Sequence, residues 1–133
     1  INAAFSEIYA DWSLKRAGGN QAPVRCTLRN WWDLDGVMGL CREMFPVGEG
    51  SHATASEVSV TYAAYPDAIK KVEMSPKIAP TGPILDADDY RRRFPDGRIG
   101  SDPSQATPEK GERLIAQAAK ALVGDFETFM NAA

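Results

Sequence analysis

The sequence predicts a protein of the α/β class, and three observations carry that prediction. Apolar residues recur at helical spacing near both ends of the chain, at Phe5, Ile8, Tyr9 and Trp12 and again from Ile115 onward. Between them, Val24, Cys26 and Leu28 alternate with Arg25, Thr27 and Arg29, the period of a half-buried strand. Residues 71–75, closed by Pro76, read as a second short strand.

Taken in order, the first helix ends at Ala17-Gly18-Gly19-Asn20, because glycine accepts the left-handed conformation that helix termini favour. The first strand runs into Trp31-Trp32-Asp33, where the two indoles would point to opposite faces. Asp35 is placed to cap a short helix whose apolar face is Val37, Leu40, Cys41, Met44 and Phe45. Pro46 and the glycines at 48 and 50 end it.

The stretch after His52 fits two patterns. Val58, Val60 and Tyr62 alternate as in a strand, which β-branched residues favour locally. Ala55, Val58, Tyr62 and Tyr65 also fit a helical face, with Thr54 or Ser56 as N-cap. Residues 76–106, punctuated by prolines, read as a long ordered excursion of the kind that is functional or contact-forming. Within it, Asp86, Asp88 and Asp89 precede Tyr90-Arg91-Arg92-Arg93, a charge cluster expected to pair internally in solvent rather than bind an anion. Thr107-Pro108-Glu109 then opens the last helix with a cap, a first-turn proline and an acid at the positive dipole end. Its apolar face is Ile115, Ala118, Ala119, Leu122, Phe126, Phe129 and Met130.

The chain has 133 residues, 44% hydrophobic and 25% charged, which fits one globular, soluble domain. A net charge of −3 gives no reason to expect a nucleic-acid partner. No apolar run approaches the ~20 residues of a membrane span, and no signal segment is present, so a cytoplasmic protein is expected. Cys26 and Cys41, with a single histidine, do not make a zinc site and read as buried thiols of a reduced compartment. Two strands fall short of the ~5–6 of a typical sheet. An upstream half that completes the sheet is therefore expected, and the start at Ile1, directly in helical sequence, fits a fragment, a cleaved product or missing preceding residues.

The one histidine, His52, follows a glycine-rich loop about twenty residues after the paired tryptophans. Such a loop beside a strand end carrying aromatics is how many α/β enzymes build one wall of a pocket. Three places carry a resemblance to a known family. Trp32-Asp33 resembles a tryptophan–aspartate pair at a strand end. His52, Glu57 and Ser59 resemble a histidine-Gly-Gly-x-x-Glu-Thr-Ser segment that opens a helix ending in Tyr-Pro, here Tyr65-Pro66. The stretch from Gly100 to Gly111 resembles Asp-Pro-x-x-Ala-Thr-x-Glu-Lys-Gly. On these motifs the whole chain resembles the C-terminal half of a creatininase-family, creatinine amidohydrolase-like protein.

The resemblance implies a three-layer α/β/α fold, of which residues 1–133 are the C-terminal portion of a single domain. It makes the segment after His52 a helix. It implies a metal-dependent amidohydrolase that cleaves a small, often cyclic, amide with metal-activated water, commonly as a homohexamer. The divalent metals, a binuclear zinc or manganese pair, would be held by residues upstream, and no residue of this chain is expected as a ligand. His52 would be the catalytic histidine, protonating an amide nitrogen that otherwise leaves badly. Trp32 would bind substrate by packing an indole face on a flat ring. Glu57 would bind substrate, orient the histidine or cap its own helix. The family's second tryptophan, four residues before the histidine, is replaced by Gly48, which opens the pocket. The expected partners are the amide substrate, the upstream half and further copies of the chain. The alternative is a non-catalytic binding or assembly subunit that keeps the fold without the metal site.

Overall fold

The computed structural model describes residues 2–16 and 25–132. The chain divides into two compact units, Ile1–Asn30 and Trp31–Ala133. In the first, helix α1 spans Asn2–Arg16, as the apolar spacing predicts. The glycine terminator at 17–20 and Val24 lie outside the described residues. Of the strand expected over 24–28, the described residues form none, since residues 25–30 carry no strand pairing. Alternation supplies two faces, but a strand exists only as one side of a ladder, and no described segment pairs with this one.

The second unit opens with a 3-10 turn, Trp31–Asp33, in place of the expected strand end. Helix α2, Val37–Met44, follows. Its N-cap is Gly36 at φ 76, with no side-chain cap, so the expected Asp35 cap is corrected. Asp35 contributes its carbonyl instead, which accepts a 2.8 Å bond from the Gln117 amide. Helix α3, Ala55–Ala64, shows that the segment after His52 is helical despite its β-branched residues. The second expected strand, 71–75, is also absent, for the same lack of a ladder partner among the described residues. One isolated antiparallel bridge, His52 with Ile99, is the extent of β-pairing described.

Helix α4, Ala87–Arg93, lies inside the long excursion, where no helix was expected. Asp86 caps it, accepting from the amides of Asp88 at 2.9 Å and Asp89 at 2.8 Å. The acidic and basic residues do pair internally, but Asp89 is buried rather than solvated. It takes Arg92 at 2.6 Å and Arg93 at 3.2 Å. Desolvation pushes its carboxyl up; the bond and charge of Arg93 and the bond from Arg92 outweigh that and hold it below the usual range.

Helix α5, Pro108–Asn131, starts where the sequence places it, with Thr107 accepting from the Lys110 amide. The core joins Leu34, Val37, Cys41 and Phe45 to Ala55, Leu114 and Ala118. The buried side of α5 is therefore set by Gly111, Leu114 and Ala118, whereas Ile115, Leu122 and Phe126 of the expected apolar face are exposed. Gly111 explains the register of α5 on α3. A side-chain carbon there would lie 2.0 Å from the Ser59 carbonyl oxygen, so only glycine lets the two backbones approach.

Candidate active site

The site is built on the N-terminus of α3, whose first amides have no intrahelical acceptors. Thr54 accepts from the Glu57 amide at 3.1 Å, and Glu57 accepts from the Thr54 amide at 3.1 Å, a reciprocal capping box. A second carboxylate, Glu49, accepts from the Ser56 amide at 3.1 Å and from the Ser56 hydroxyl. Both acids thus sit at the positive end of the helix dipole. Burial pushes the Glu49 carboxyl above its usual range, against the lowering effect of the two Ser56 bonds, and the Glu57 charge adds to the rise.

A cleft of about 300 Å³ opens beside this helix start. Trp31, Trp32 and Met38 supply its apolar wall, and Glu49, Ser56 and Glu57 its polar one. The indoles of Trp31 and Trp32 meet edge to face, with centroids 5.8 Å apart. Trp31 also packs against the core, while Trp32 is 40% exposed. Trp32 and Glu57 therefore share one cleft. Glu57 is also a helix cap, one of the roles its sequence position suggests.

His52 is placed differently. It follows Ser51 of the cleft lining, but its side chain is exposed and does not line the cleft. No described residue bonds to the imidazole, so it is not a helix-start histidine tied to nearby backbone. Cys41 is buried against Ser56 and Glu49; burial raises its thiol, which makes it a poor nucleophile. Sequence reading missed Glu49. The signal available was a carboxylate flanked by two glycines, three residues before the histidine.

The Gly100–Gly111 motif reads as a structural brace, as its turn and cap residues suggest. Asp102 accepts from the Ser104 amide at 3.2 Å. Lys110 donates to the Gln105 carbonyl at 3.0 Å and lies 4.4 Å from the Phe45 ring centroid. Among the described residues, no group of three or more His, Cys, Asp or Glu could hold a metal ion. These residues do not by themselves fit a divalent-metal centre.

The family model described as creatinine amidohydrolase matches residues 1–125. The family implies an α/β fold, and its members are in general metal-dependent amidohydrolases, hydrolases of C–N bonds. The chain belongs to the creatininase family. No curated protein matches it. No helix of the described residues is long and apolar enough to cross a membrane.

Proposed function

We propose that this chain forms the substrate-facing, proton-handling part of an amidohydrolase acting on a small, flat, often cyclic amide. The family match over residues 1–125 carries this reading. The cleft supports it, because an exposed indole beside two carboxylates suits a flat polar ring. Trp32 packs on the ring. Glu57 faces the substrate while capping α3. His52, on the loop at the edge of the cleft, protonates the departing nitrogen, since a free amide anion is a poor leaving group. The divalent metals, a zinc or manganese pair, fall to residues upstream of Ile1 in the same protein, which works as a cytoplasmic homo-oligomer, a hexamer.

The test is His52→Ala in the metal-loaded protein, read as metal content, melting temperature and turnover of a panel of small lactams and amides. Turnover is expected to fall by roughly 10²–10⁴-fold, the usual worth of a positioned acid or base. Metal content and melting temperature are expected to hold. Full turnover in the folded, loaded variant removes His52 from the reaction. Absence of any amide turnover in the loaded parent sinks the whole reading.

A further inference from the structure

The backbone around the one histidine is unusual on both sides. Two residues before it, Gly50 stands at φ 76, where a side-chain carbon would lie 2.5 Å from the Ile99 carbonyl oxygen and 2.6 Å from the Ser101 nitrogen. Directly after it, Ala53 takes φ 52, the one non-glycine residue at positive φ among the described residues. Such a conformation strains an L-residue and persists only where the surroundings over-determine it.

The surroundings are a second segment far along the chain. The His52 carbonyl accepts two hydrogen bonds, from the Ile99 amide at 3.3 Å and from the Ser101 hydroxyl at 2.8 Å. The Ser51 amide donates to the Ile99 carbonyl at 2.9 Å. Just upstream, the Asp102 amide donates to the Gly48 carbonyl at 2.7 Å and the Gln105 side chain to the Val47 carbonyl at 2.9 Å. Ser101 is 0% exposed, and its hydroxyl reaches 49 residues back to this one carbonyl. Meanwhile the imidazole itself is exposed and bonded to no described residue. A histidine kept for packing would show the reverse, a bonded ring on an unconstrained backbone.

We propose that residues 99–101, with Ala53, form a clamp that aims His52, and that Ser101 is its positioning residue. Ser101 acts only through the His52 carbonyl, fixing the Cα–Cβ direction from which the imidazole approaches a substrate. The catalytic half of this proposal rests on the amide-hydrolysis reading, and the clamp itself does not.

Histidine-selective ¹⁵N labelling of the full 133-residue chain yields a single backbone amide signal, because His52 is the only histidine. Two variants are compared with the parent. Ser101→Ala deletes the hydroxyl, and Ala53→Gly fits φ 52 without strain while freeing the backbone. The His52 amide order parameter is expected to fall from about 0.85 to below about 0.6 in both. In the metal-loaded protein, kcat is expected to fall at least ~10-fold with KM unchanged, the mark of an interaction made only in the transition state. Ala53→Gly is expected to do this while its melting temperature holds or rises, a split that a purely structural role cannot produce. If Ser101→Ala does not fold, Ala53→Gly decides alone. An unchanged order parameter in the folded variants overturns the clamp. A loosened His52 with unchanged turnover overturns its catalytic half, while the role of His52 itself is decided separately by His52→Ala.

Discussion

Glu49 and Asp89 show how opposite environments act on the same chemical group. Burial raises the Glu49 carboxyl, so the folded state holds its proton more tightly than the unfolded chain does. Its contribution to stability is complete below the ordinary carboxyl range and is lost as pH rises through the raised folded value. Glu49→Gln keeps an acceptor for Ser56 and removes the charge. The variant should melt higher than the parent near pH 7, with the gap closing under acid, as thermal melts across pH would record. Asp89 runs the other way, because Arg93 and Arg92 outweigh its desolvation and hold it low. Its stabilisation is present above the ordinary carboxyl range and lost as pH falls through the lowered value. Asp89→Asn should therefore destabilise the chain at neutral pH and flatten the acid limb of the melting profile. At this scale the sequence singles out residues whose chemistry makes them candidates, His52 and Trp32 among them. It does not show Glu49, whose significance arises only when the fold sets it against Ser56.

Among the elements, what was legible followed how local the determinant is. Thr107-Pro108-Glu109 marks the start of α5 because a cap, a proline and an acid act within one turn. For α3 the sequence offered Thr54 or Ser56 as cap and a strand pattern besides, and the structure chose Thr54, closed by Glu57 three residues on. Thr54→Ala removes the acceptor for the Glu57 amide and should cost about 1 kcal/mol, read as a lower denaturant midpoint at unchanged slope. Residues 25–30 and 71–75 have strand-like patterns but no ladder among the described residues, and pattern without a partner does not make a strand. The α5 face shows a further limit. Its apolar stripe is correct in period, yet Gly111 decides which side of the helix is buried. Gly111→Ala drives a methyl into the Ser59 carbonyl and should cost at least ~1–3 kcal/mol, seen as a lower melting temperature.

On the scale of the whole molecule, the unit Trp31–Ala133 is tied by contacts between its ends: α3 against α5, Gln117 on Asp35, Ser101 on His52. Leu122, Val123 and Phe126 remain exposed beyond that core. If the upstream half of the proposed enzyme supplies the sheet, its addition should raise the melting temperature of the chain. It should also slow amide exchange over residues 71–75, and hydrogen exchange with and without that half measures both effects; unchanged exchange there would count against the missing-sheet argument. By itself the sequence determined the helix start at Thr107, the creatininase resemblance and the single histidine, since caps, periodicity and motifs are properties of neighbouring residues; after His52 it left strand and helix both open, and the structure chose the helix with Thr54 as its cap. Only the tertiary structure decided that Glu49 grips Ser56, that Trp32 and Glu57 share a cleft, and that Ser101 holds the carbonyl of His52. The last two depend on segments distant along the chain meeting in space, and the first on a loop folding back over the start of the next helix; no repeating local pattern encodes such a meeting.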